Sequence, residues 1–561
     1  MGPMEETCCV VSVFEAAGES NWGKTLGCPQ HLGSGCCAEE PLSGSGVLLN
    51  AQSGIVVCHG LLFSSFLMNK DINLSDCQVL FPESFSNKLQ VYIQHYDIID
   101  TQIANTQRMP SQAMNQCYGQ TNMDIQSKPR LSSQKAEFLM LLSCQEFQET
   151  FENVFNTSEK WSFNSNEEDA ELNEMKKDSR FLSWFALLKV PGLLEEDDRV
   201  TPWLSSSHLQ KGDVTFVCGS PFGSVCLDIF MNTLSKGIVS NLAGEGNAVI
   251  LTDARCLPGT EGGGLFIKKG DHFYLVGLIV SSLCRKANEW IGLTLVCSVE
   301  YILRNIRMLG SKSAPWLKEK SRQRPVTFTQ VLSSGPEARA LQNHPVVVLV
   351  ECGQLWGSGV LMNSRIMLTC RHVVERSSKV IVKVRTEESF LGVVGEVIYS
   401  TKESSPFDVA VVLLKEQFPN IVVPALANSF KPGEDVWILG FGVFGQSCGP
   451  TLTAGILSRV VTCSSQPVML QTTCAVQAGA SGGAVIRAST GELLGLVSSN
   501  TRDSAARVTY PHLNFSVPVT VLGPLLQHFD LTEDAKVFEQ LDRAGGDVRG
   551  VWRLQDRRSK L

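Results

Sequence analysis

Nowhere in these 561 residues does an apolar run approach the roughly 18 residues that a membrane-spanning helix needs. The amino terminus, MGPMEETCCVVSVFEAAGES, is acidic and has no basic n-region, which argues against a secretory leader. Its sixth residue is Glu6 rather than Ser or Thr, so it is no myristoylation signal either. Positive charge is also short: 48 Lys and Arg stand against 56 Asp and Glu, a net charge of -8 with pI ≈ 5.7. That balance argues against nucleic acid and anionic membrane as main partners. The 19 cysteines are odd in number and spread along the whole chain, with no Cys-x-x-Cys pair of zinc-module type. Most of them are expected to be small buried hydrophobes in a reducing compartment. No metal is expected, and no cofactor.

What is present is a sequence that contains itself twice. Residues 44–50 read GSGVLLN and residues 357–363 read GSGVLMN. Counted without gaps, His59 follows Gly44 at the same distance as His372 follows Gly357. Further on, FLSWFALLK (181–189) lies over FDVAVVLLK (407–415), and GTEGGGLFI (259–267) over GASGGAVIR (479–487). This alignment sets Leu182 against Asp408 and Glu261 against Ser481. The first copy is longer because 138 residues separate Gly44 from Leu182, where 51 separate Gly357 from Asp408. The extra length reads as one polar, exposed loop at about 84–180.

The expected organisation is a degenerate copy over 1–309, a linker over 310–340, a catalytic copy over 341–535 and a tail over 536–561. Within each copy the segments are short, β-branched and alternating, as in KVIVKVR, DVAVVLLK and EDVWILGFG. Turn residues separate them, so the fold class is all-β and barrel-like.

The stretch QAGASGGAV (477–485) raises the functional question, because glycine-rich turns are mostly structural. Here the turn has company. LTCRHVV places His372 at a strand end, and FDVAVVLL places Asp408 at a strand start. Serine is a weak nucleophile. It needs an imidazole to take its proton and a buried carboxylate to orient that imidazole. His372, Asp408 and Ser481 supply these as general base, orienting acid and nucleophile, with the N–H groups of Gly479 and Ser481 directed at the developing oxyanion. The first copy offers Leu182 and Glu261 at the matching places, so it is expected to be inert and to pack on the active copy or bind partners.

In order and setting these residues resemble the trypsin-like serine peptidases, and within them the HtrA/Deg branch. GASGG resembles the Deg-type GNSGG, and CGSPFG (218–223) and KGIVSN (236–241) resemble Deg segments. His372 is followed by Val-Val rather than Cys, and Ala480 cannot form the zymogen-activating salt bridge. The resemblance implies two tandem trypsin-like double β-barrel domains, the first degenerate, and the sequence departs from other Deg proteins in showing no recognisable PDZ module after the protease domain. It also makes Ala475, six residues before Ser481, the base of the specificity pocket. With no carboxylate there, a small or apolar P1 residue fits better than Lys or Arg.

The carboxyl terminus, Ser559-Lys560-Leu561, is a peroxisomal address read by an import receptor. Together with the doubled framework it resembles a family of peroxisomal processing proteases of animals. That resemblance implies matrix-protein substrates, including β-oxidation enzymes cut at presequences or internal segments, and a preference for Cys at P1. Cys117, in the polar MNQCYGQ, is then the expected point of self-cleavage, whereas Cys144 follows the apolar FLMLLS and is expected to be buried. A broad quality-control protease and a non-catalytic scaffold of protease fold are the alternatives. A homo-oligomer is also compatible with the sequence.

Overall fold

The computed structural model describes residues 4–16, 41–96, 131–155, 161–162, 180–191, 200–313 and 346–552, apart from short gaps within these ranges. Its architecture is all-β, built on closed six-stranded barrels, two in each copy. The barrels of the second copy comprise the strands from Val347–Cys352 to Ala410–Leu414 and those from Asp435–Gly440 to Val508–Pro518. In the first copy, one barrel runs from Val214–Gly219 to Thr294–Ser298. The other closes when Leu131–Ser143 pairs with Trp184–Lys189. Every ring has the same circuit: first strand to second and third, then sixth, fifth and fourth. This is the expected tandem double barrel.

Local sequence explains the strands. Lys379–Arg385 reads KVIVKVR, and Val380 and Val382 are buried while Lys379 and Ile381 face out. Side chains alternate across a strand, so one face can fill a barrel while the other stays wet. Where a strand is covered on both sides the alternation vanishes, as in Ile366–Thr369, buried along its whole length. The cysteines follow the same logic: those described are free, and most are buried. No helix among the described residues is long and apolar enough to cross a membrane.

Three expectations need correction. The block 84–180 is not one exposed loop. Leu89–Tyr96 and Leu131–Ser143 are barrel strands, and the helix Gln145–Val154 buries Phe147. Cys144 is buried, as expected. The extra length is divided among the connections of the barrel, and residues 97–130, with Cys117, lie outside the described residues.

The residues beyond 535, expected as a tail outside the catalytic copy, pack into it. Phe538 and Leu541 are buried in the second copy's core, and Trp552 Nε1 donates to the Val468 carbonyl at 3.1 Å. The address at 559–561 lies outside the described residues, as does most of the linker, and the helix Val299–Ser313 runs past the expected boundary at 309.

The third correction concerns register. Gly46 pairs with Cys58, twelve residues on, whereas Gly359 pairs with Thr369, ten residues on. The first hairpin is therefore the longer one, and gap-free counting slips by two. His59 takes the place of Cys370, and Leu61 that of His372. The surroundings of the paired glycines agree: a Cβ on Gly44 would meet Leu62, and one on Gly357 would meet Val373. Cys58 and Thr369 in turn face Ala186 and Ala410, which puts Trp184, not Leu182, at the level of Asp408.

Candidate active site

His372 lies in the short helix Arg371–Val374, directly after the buried strand Ile366–Thr369. Asp408 precedes the neighbouring strand Ala410–Leu414, so the ladder between the two strands brings the side chains together. Nδ1–H of His372 donates to Asp408 Oδ2 at 2.5 Å, and the His372 backbone N–H donates to Oδ1 at 3.1 Å. Two bonds to one carboxylate fix both the ring and the loop that carries it. Burial pushes the Asp408 carboxyl upward, but the hydrogen bond and charge of His372, with Arg371 at 3.7 Å, leave it below its ordinary value. The imidazole side chain is 51% exposed and the carboxylate 19%, which leaves the far edge of the ring open to solvent. With Nδ1 committed, Nε2 is the nitrogen able to take a proton from outside.

Ser481 sits on a turn shaped by glycines. Gly479 has φ +89, and a Cβ there would fall 2.2 Å from Trp356 and 2.6 Å from the Phe441 carbonyl. A Cβ on Gly482 would fall 2.0 Å from the Ser358 carbonyl. The amides between are selectively used. Ala480 N–H donates to Gln477, Gly482 N–H to Val497 and Gly483 N–H to Ala480. Among the described residues no acceptor takes the N–H of Gly479 or Ser481. Two uncommitted amides on either side of one residue are suited to an oxyanion.

Ser358 anchors this turn to the other barrel. Its N–H donates to the Ser481 carbonyl at 2.9 Å, and its hydroxyl donates to the Gly479 carbonyl and accepts the Phe441 N–H, both at 2.7 Å. Ser45 repeats the pattern in the first copy, donating to Gly259 and accepting from Ser220. The doubled GSG was the signal for this role, and motif reading alone did not assign it. Trp356, which covers Gly479, had no signal beyond its position beside that motif.

In the first copy Ser45 N–H donates to the Glu261 carbonyl at 3.0 Å, which confirms Glu261 as the counterpart of Ser481. His59 is fully buried, with Nε2 at 3.2 Å from the Leu182 carbonyl, and burial lowers its pKa to about 4. It is a neutral core residue. Leu61, Trp184 and Glu261 stand where the second copy has His372, Asp408 and Ser481.

Ala475 is buried, and its carbonyl accepts the Thr453 hydroxyl at 2.9 Å. A Cβ on Gly292 of the first copy would lie 3.1 Å from the Ala475 methyl, with Pro511 and His512 also within 3.3 Å. A first-copy residue at this place had no sequence signal. Cys370 Sγ, a His372 ring nitrogen and an Asp408 oxygen lie within 4.8 Å of one another. Burial and the Asp408 charge push the Cys370 thiol well up, and it donates to the Val497 carbonyl at 3.1 Å. A thiol held protonated in this way is a poor metal ligand.

Residues 357–496 match the trypsin-like peptidase domain, which spans His372, Asp408 and Ser481. Over 95% of its length the chain is 41% identical to the human peroxisomal leader peptide-processing protease, covering 97% of that protein. Its mouse counterpart is 38% identical over the same shares. The chain belongs to the peroxisomal leader peptide-processing protease family. As a member of this family it is a serine endopeptidase of trypsin-like fold, and its location is the peroxisome. A solved HtrA-type protease, AlgW with a tripeptide, is 23% identical, with a TM-score of 0.29 over 34% of this chain and 63% of that one.

Proposed function

We propose that the second copy is a processing endopeptidase acting through His372, Asp408 and Ser481. The observation that carries the reading is the doubly bonded His372–Asp408 pair beside a serine turn with two uncommitted amides. Ser481 Oγ attacks the scissile carbonyl while Nε2 of His372 takes its proton, and Asp408 stabilises the imidazolium that forms. The N–H groups of Gly479 and Ser481 hold the oxyanion. The imidazolium then protonates the leaving amine, and water repeats the sequence on the acyl-enzyme.

The substrates are imported peroxisomal matrix proteins, cut in extended leader or internal segments. The names of the human and mouse relatives support this choice. Ala475 is buried and faced by Gly292, a close setting that favours a small P1 side chain, Cys among them, over Lys or Arg. Ser559-Lys560-Leu561 is the address bound by the import receptor, and Cys117 the site of self-cleavage.

A fluorophosphonate probe tests the chemistry. It should label the wild type at Ser481 and fail on Ser481→Ala, while Asp408→Asn lowers peptide turnover by about 10³- to 10⁴-fold with the fold intact. A wild type that stays unlabelled, or a folded Asp408→Asn with near-normal turnover, removes the triad.

A further inference from the structure

The connection between Asp435–Gly440 and Thr451–Cys463 belongs to the second copy by sequence, yet the first copy packs it. Val443, Phe444 and Cys448 are buried among the first copy's apolar residues. Phe444 stacks on Trp161, ring centres 5.5 Å apart and planes 9° apart, and meets Phe155 edge-on. Lys286 stands 5.0 Å over the Trp161 ring, and its Nζ donates to the Val443 carbonyl at 3.2 Å. Lys211 Nζ donates to the carbonyls of Cys448 and Pro450 at 3.2 and 2.6 Å. Both ends of the loop are thus tied to the first copy through its backbone.

The same loop supports the nucleophile turn. Phe441 is joined to Gly479 through the Ser358 hydroxyl. A Cβ on Gly442 would fall 2.4 Å from Gln477 Oε1. Gln477 is 5% exposed, and among the described residues neither polar atom of its side chain has a partner. A buried amide in that state disfavours its own conformation, so the turn needs outside support to hold it. The pocket is backed in the same way. Gly292 closes on Ala475, and Asp253 Oδ2 accepts the Ala454 N–H at 2.6 Å, next to the Thr453 that bonds Ala475.

We propose that the first copy is an intramolecular clamp, holding the loop 441–450, and through it the oxyanion turn and Ala475, in the working arrangement. The proposal rests on the peptidase reading above. Trp161, Phe155 and Lys286 are positioning residues and touch no reacting atom. This gives the degenerate copy a task that needs no nucleophile. It also gives Phe155, at the end of the helix Gln145–Val154, and Trp161 a role within a block that reads as polar loop.

The test uses the full chain with Trp161→Ala, Lys286→Met and Trp161→Phe. Trp161→Ala should lower kcat/KM and the rate of fluorophosphonate labelling by about 10- to 100-fold, because small displacements of a reacting group are costly. Lys286→Met should act in the same direction, and Trp161→Phe, which keeps a stacking ring, should recover most of the loss. Coupling is reciprocal, so a peptide boronate bound at Ser481 should slow hydrogen exchange over 441–450 and around Trp161 in the wild type.

Folded variants that label and turn over within about twofold of wild type overturn the clamp and leave the peptidase reading intact. If Trp161→Ala fails to fold, Lys286→Met and the exchange measurement decide. An exchange pattern unchanged by the boronate counts against the clamp. A wild type that is not labelled at Ser481 removes the peptidase reading and the clamp together.

Discussion

Glu261 Oε2 accepts the N–H of Gly259 at 2.7 Å, and Gly259 is the first copy's counterpart of Gly479. The residue standing in the place of Ser481 thus sends its own carboxylate to the amide whose second-copy counterpart, that of Gly479, is the proposed oxyanion donor. Its other oxygen takes the N–H and hydroxyl of Ser282, at 3.1 and 2.5 Å. The first copy has kept the shape of this turn and filled it from within.

Restoring a hydroxyl there should not restore chemistry. In a Ser481→Ala background, Glu261→Ser leaves Leu61 where an imidazole is needed and Trp184 where the acid is needed. No fluorophosphonate labelling is expected. The change also strips partners from Gly259 and Ser282, which should lower the stability of the first copy by about 1–3 kcal/mol in denaturant titrations. Labelling at position 261 would show that a working base survives nearby.

Gly479→Ala adds a methyl 2.2 Å from Trp356, at a φ of +89 that other residues rarely adopt. The turn must move, and the Gly479 amide, the proposed oxyanion donor, moves with it. The expected loss is about 10²- to 10³-fold in kcat, with a smaller change in KM. A variant with wild-type kcat would take Gly479 out of the site.

His59 makes a pH prediction. Burial lowers it to about 4; the unfolded chain titrates near 6.5. Between these values the unfolded state binds a proton that the folded copy refuses. Stability is therefore complete above about pH 6.5 and falls as the pH drops to about 4, by about 3 kcal/mol in all. Denaturation midpoints of wild type and His59→Gln at the two ends of this window give the comparison. The variant should lose less stability across it, and parallel losses would contradict a buried neutral imidazole.

Cleavage after Cys117 would fall between Leu89–Tyr96 and Leu131–Ser143, which pair from Val91↔Ala136 to Tyr96↔Leu131. The strand Cys8–Glu15 also pairs within the amino-terminal piece and closes the ring through Leu89–Tyr96. The two fragments should stay together on size exclusion and separate only in denaturant. Sequencing of new amino termini should find position 118 in wild type and not in Ser481→Ala. An intact wild-type chain, or equal nicking in the serine mutant, would remove self-cleavage.

Much of the molecule is written in local pattern. Strands follow from two-residue alternation, the copies from repeated GSG and GG turns, and the order His372, Asp408, Ser481 from position alone. The misreadings have specific causes. The longer hairpin between Gly46 and Cys58 hides a two-residue shift, because a turn can lengthen without disturbing the strands it joins. Leu131–Ser143 begins polar because its first half is partly exposed, and its apolar half resembles an isolated run.

Contacts distant in sequence leave no such trace. That Asp253 reaches Ala454, that Trp161 carries Phe444, and that Glu261 turns its carboxylate onto Gly259 depends on how side chains meet once the barrels are closed. Sequence alone determined the all-β fold, its duplication and the order of the candidate catalytic residues, because these rest on spacing along the chain. Tertiary structure decided which histidine corresponds to which, how the empty copy fills its turn, and that the two copies share a core. Burial and hydrogen bonding across distant segments have no period that a sequence can display.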